Sequence, residues 1–180
     1  MSCNHFKETS SYIQKIVEKI YPVIQYHFIL IGSCNDHETK FSDDPFVSEL
    51  WILIDELKSV FHTLIAYETT LVFPTILKYF NNKSEINHHL PDIHELIFMA
   101  KSKEKQLLRL SDEINARLRR FDITEFPQKE NIQFIVSYFQ NEFKKAKEKW
   151  NEMLDDRMNN CACFRIVPLS INTNLYNGPY

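Results

Sequence analysis

Only two glycines, Gly32 and Gly178, occur in a chain of 180 residues. Sheets and phosphate-binding loops need glycine where the backbone turns sharply or approaches a ligand closely. This scarcity argues for an all-α chain and against a β-sandwich, a Walker loop or a dinucleotide-binding fold, and none of their motifs is present. The composition is 44 % apolar and 13 % aromatic, enough for a packed core in one domain. A net charge of −3 with both signs interspersed lacks the basic footprint of a nucleic-acid binder. No apolar run approaches the ~20 residues of a membrane span, and Met1 to Glu8 lack the apolar core of a signal peptide, so a cytoplasmic protein is expected. In that setting Cys3, Cys34, Cys161 and Cys163 read as ordinary thiols.

Apolar periodicity predicts four long helices. The first runs from about Ser10 to Gly32, with the stripe Ile13, Ile16, Ile20, Val23, His27, Leu30, and Pro22 should bend it. The second starts at Asp44-Pro45 and runs to about Phe80, with Leu50, Ile54, Leu57, Phe61, Leu64, Glu68 and Leu71 on its stripe and Pro74 disturbing its end. The third begins near Leu90-Pro91 and continues to about Phe121, with Ile93, Ile97, Ala100, Glu104, Leu107, Ser111, Ile114 and Leu118. The fourth covers about Pro127 to Met158, with Ile132, Ile135, Tyr138, Glu142, Ala146, Trp150 and Met153. Short connections imply an antiparallel up-down-up-down four-helix bundle over residues 1–158, with residues 159–180 as an extended C-terminal tail.

Four polar residues fall on or beside these stripes: His27, Glu68, His94 on the flank of the third stripe, and Glu142. Burying such groups is costly unless they are paired or bind a metal. Two carboxylates and two imidazoles converging in a bundle supply a carboxylate-bridged site suited to iron, manganese or zinc. The plain alternative is a set of buried His–Glu hydrogen bonds without metal. Glu104 also lies on an apolar stripe and is an outside candidate.

These residues resemble the hemerythrin-like (HHE cation-binding) domains, in particular the iron–sulfur cluster repair di-iron proteins. Tyr26-His27 is similar to the tyrosine–histidine pair at the end of that family's first helix. Leu64 to Pro74 keeps Glu68 and Phe73-Pro74 of the second-helix motif but has Leu64 in place of its histidine. Ile93-His94 looks like the third-helix position, and Tyr138 to Glu142 keeps the fourth helix's glutamate while tyrosine replaces its histidine. The resemblance covers about residues 10–155 and implies a di-iron site with Glu68 and Glu142 bridging and His27 and His94 as terminal ligands. Tyr138 would be an auxiliary ligand or hydrogen-bond donor, and His89, in a loop beside the third helix, a replacement ligand. The implied partner is a small oxidant, namely dioxygen, nitric oxide or peroxide, or iron handled under stress.

Loss of two ligand histidines motivates a competing expectation, a divergent metal-free bundle that acts as an interaction or regulatory module. A weaker third reading, a phosphotransfer bundle, would use an exposed His62; His5 and His37 read as solvated.

Overall fold

The computed structural model describes residues 4–33, 45–81, 92–119 and 128–160, and each stretch is built around one helix. We number these α1 (residues 4–33), α2 (Pro45–Asn81), α3 (Ile93–Leu118) and α4 (residues 129–160). The chain is an all-α bundle. The helices pack through a core that includes Phe28, Phe61, Leu107, Phe139, Phe143 and Trp150. The expected tail beyond residue 160 and the His89 loop lie outside the described residues.

Cross-links between helices fix their relative directions. Tyr21 meets Glu68 and Phe28 meets Phe61 between α1 and α2. Glu49 pairs with Arg117 and Glu56 with Gln106 between α2 and α3. Lys101 binds Asp155 and Asp112 binds Gln140 between α3 and α4. Glu8 binds Arg157 and His27 meets Asn131 between α1 and α4. In each of these four pairs rising numbers on one helix meet falling numbers on the other, so these neighbours run in opposite directions.

Two prolines shape the helices in a way that the apolar period does not show. Instead of simply bending at Pro22, α1 widens into one π-helical turn at Ile16–Ile20, closed by the Tyr21 N–H bonding to the Ile16 carbonyl. In α2 the same turn forms at Glu68–Val72, closed by the Phe73 N–H on the Glu68 carbonyl, immediately before Pro74. Proline lacks the N–H that would bond four residues back, and its ring crowds that carbonyl. An i→i+5 turn placed just upstream relieves both problems while the helix continues. A third π turn, Phe139–Phe143, lies in α4.

Each extra residue rotates the remainder of the helix by about 100°. Hence α1 buries Ile13, Ile16 and Ile20, and then Tyr21, Ile24, Phe28 and Ile31 rather than Val23, His27 and Leu30. In α2, Val72 and Phe73 follow Glu68 inward, and Leu71 is exposed. By contrast α3 has no π turn, and all eight residues of its predicted stripe are buried. Its start is set by Asp92, whose side chain accepts a hydrogen bond from the His94 backbone N–H at 2.9 Å, as an N-cap does.

Among the described residues one helix, Pro45–Asn81, is long and apolar enough over an 18-residue window to cross a membrane. About 39 % of that window is buried inside the bundle, and the helix carries the buried Glu68 just past its middle.

A buried lysine between two glutamates

The π turns of α1 and α2 bring Tyr21 and Glu68 face to face in the core, and α3 and α4 add Glu104 and Lys147. Glu68 is 0 %, Lys147 3 % and Glu104 5 % exposed. The Lys147 Nζ lies 2.6 Å from both Glu68 carboxylate oxygens, 2.9 Å from the Tyr21 hydroxyl and 3.3 Å from Glu104 Oε1. The Tyr21 hydroxyl donates to Glu68 Oε2. Asn151 Nδ2 donates to Glu104 Oε2 at 3.1 Å. Aromatic rings complete the enclosure: Nζ is 5.3 Å from the Tyr21 ring centroid, 5.6 Å from Phe143 and 5.9 Å from Phe73, within the range of cation–π attraction.

The charges in this centre do not balance when all are ionised: one ammonium faces two carboxylates. Burial pushes the Glu68 carboxyl up to about 7, chiefly by desolvation. The Lys147 ammonium pulls it down, and the Glu104 charge pushes it up further. The centre therefore holds a proton on Glu68 well above the ordinary carboxylate range. A small pocket of about 180 Å³ on the α3–α4 face reaches Glu104, Lys147 and Asn151 from solvent, with Lys101, Lys105 and Lys144 at its mouth.

The residues expected at a metal centre are dispersed. Glu68 is in the core, and the outside candidate Glu104 joins it there. Glu142 is exposed, because Phe139 and Phe143 occupy the inward positions beside it. His94 is exposed in the first turn of α3. His27 is half-buried on the outer α1–α4 seam, where its ring stacks on Phe134 with centroids 3.9 Å apart and its Nδ1 lies 3.3 Å from Asn131 Oδ1. Tyr138 stacks with Phe134 at 5.8 Å, and burial raises its pKa, with the Glu142 charge adding to the rise. His27, Glu68, His94 and Glu142 thus do not form one cluster. Replacing Glu142 or His94 by alanine is expected to move the melting temperature by no more than about 2 °C, measured by circular dichroism, because neither side chain has a buried partner to strand.

Among the described residues no group of three or more histidine, cysteine, aspartate or glutamate side chains is placed to hold a metal ion. The donor set around Glu68 does not fit a metal pair either. It offers a second carboxylate and a phenol but no imidazole, and an ammonium group already lies against both Glu68 oxygens. A cation bound there would be forced against Nζ.

Lys147 and Tyr21 are the members of this centre that the apolar period does not single out. Tyr21 stands directly before Pro22, and that placement is the available signal, since the proline-linked π turn rotates it inward. Lys147 lies between Phe143 and Trp150 at core spacing but is masked by the lysine-rich run Lys144-Lys145-Ala146-Lys147.

Searches of protein-family models, curated proteins and solved structures find no match to this chain. The likeness to hemerythrin-like domains accordingly rests on its short motifs alone.

Proposed function

We propose that this chain is a metal-independent helical bundle that serves as an interaction or regulatory module. In this reading the Lys147 ammonium supplies the positive charge that a metal ion would otherwise provide between buried carboxylates. The observation that carries the reading is Nζ at 2.6 Å from both oxygens of Glu68 and 3.3 Å from Glu104. Such a centre needs no cofactor to satisfy its charges, and it ties three helices of the bundle to a fourth. Buried ionic groups of this kind stabilise little by themselves but penalise any packing that separates them. That property suits a module whose task is to present a fixed surface.

The test is elemental mass spectrometry and ultraviolet–visible spectroscopy on protein purified without a histidine tag. Both are repeated after anaerobic incubation with ferrous iron or manganese. The expected outcome is no stoichiometric metal, no charge-transfer absorption and no rise in melting temperature on metal addition. Stoichiometric iron, with absorption that vanishes in Glu68→Ala, would overturn this reading. It would favour the hemerythrin-like di-iron alternative, with dioxygen, nitric oxide or peroxide as ligand.

A further inference from the structure

An open groove of about 930 Å³ runs between the N-terminal half of α1 and the C-terminal half of α4. Its lining is basic within a chain of net charge −3: Lys7, Lys15 and Lys19 come from α1, and Lys149 and Arg157 from α4. Two glutamates, Glu8 and Glu18, also line it. The ammonium groups of Lys15 and Lys149 lie 6.0 and 5.8 Å from the ring centroid of Tyr12. Tyr12 is itself fixed, with its hydroxyl donating to the Ala146 carbonyl at 2.9 Å and its ring stacked on Trp150. Among the described residues neither lysine makes an ion pair with a carboxylate, so two cations lie against one aromatic ring. Arg157, two turns further along α4, donates to Glu8 at 2.8 Å and lies over the Phe80 ring. The half-buried side chains of Tyr12 and Met153 give the groove an apolar floor.

The dimensions and charge order select an occupant. Lys7 to Lys19 spans ~18 Å along the helix axis, the length of roughly five or six residues of extended chain. Glu8 and Glu18 stand toward opposite ends of this span on α1. A uniform polyanion such as nucleic acid or polyphosphate would press charge against both. A peptide can set its carboxylates in the middle, keep neutral or basic residues at the ends, and lay an apolar side chain on the floor.

We infer that this groove docks a short, extended acidic peptide segment of a partner protein, with its carboxylates at Lys15 and Lys149. The inference rests on the module reading above and deepens it by naming the surface and the partner's chemistry.

The test uses the full chain and a fluorescein-labelled peptide of about six residues, with central glutamates around one phenylalanine, followed by fluorescence anisotropy at low and physiological salt. Binding is expected to weaken with salt. It should fall by at least about tenfold when Lys15→Glu and Lys149→Glu are combined, two exposed positions whose reversal replaces attraction with repulsion. The charge-matched control away from the groove, Arg109→Glu with Arg119→Glu, should keep affinity within about twofold. The inference is overturned if the peptide does not bind, if the groove reversal leaves binding intact, if the control loses as much, or if an oligophosphate of equal charge displaces the peptide more readily than unlabelled peptide does. Circular dichroism confirms that each variant is folded. Neither groove lysine touches Lys147, so a negative result here removes the docking surface while the metal assay separately decides the metal-independent reading.

Discussion

Replacing Lys147 by methionine is expected to lower the unfolding free energy by about 3–5 kcal/mol at neutral pH, a fall of roughly 10 °C in melting temperature for a chain of this size. Methionine matches the length of the lysine stem, so little of the loss comes from packing. The loss comes from stranding Glu68 and Glu104, both less than a tenth exposed, without the ammonium that now contacts them. Urea denaturation gives the value directly. Without the Lys147 ammonium, which pulls the Glu68 carboxyl down, Glu68 holds its proton above about pH 7, so the defect should grow as the pH rises past that value. The defect should be reversed in the triple variant Lys147→Met, Glu68→Leu, Glu104→Leu, which removes all three charged groups of this centre at once. Such wholesale replacement is ordinarily neutral or stabilising by about 1–4 kcal/mol. A single variant as stable as the parent would mean that Nζ is not in contact with the two glutamates.

How far the sequence reveals this centre depends on where the helical period stays regular. Along α3 the period is unbroken, and Glu104 falls on an inward stripe among Ala100, Leu107 and Ser111, as the pattern predicts. Glu68 is likewise inward, because it opens the π turn rather than following it. His27 lies beyond the α1 π turn, and the added residue gives its inward position to Phe28. Both prolines that accompany these turns are plain in the sequence, but their usual reading as kinks conceals the rotation they bring. Glu142 departs from its expected place for a different reason: the stripe through Ile135 can be continued to Tyr138 or to Phe139, and the structure takes the larger apolar residues Phe139 and Phe143. The buried cation is the least legible part. Lysine is seldom buried unless paired, and its partners lie 79 and 43 positions away in the chain, beyond the reach of any local pattern.

The second large effect concerns pH, and its direction runs against the usual behaviour of an acidic group. Glu68 keeps its proton up to about pH 7 in the folded chain, against 4.5 as its ordinary value. Between these limits the folded state binds more protons than the unfolded state, so unfolding becomes easier as pH rises. The stability contributed by Glu68 is fully present below about pH 4.5 and is lost as pH climbs through about 7. The spacing of the two values corresponds to about 3 kcal/mol. Other carboxylates superimpose their own dependence, so the informative quantity is the difference between the parent and Glu68→Gln. The glutamine amide imitates the protonated carboxyl and cannot ionise. The variant should match the parent near pH 4.5 and gain on it by about 3 kcal/mol by about pH 8, measured as urea midpoints across that range. The groups facing Glu68 are Tyr21 from α1, Glu104 from α3 and Lys147 from α4. Glu104→Gln removes a charge that repels the ionised form, so it should lower the pH at which Glu68 gives up its proton and narrow the gap. A gap that stays constant with pH would mean that the attraction of Lys147 outweighs burial and that Glu68 remains ionised in the fold throughout.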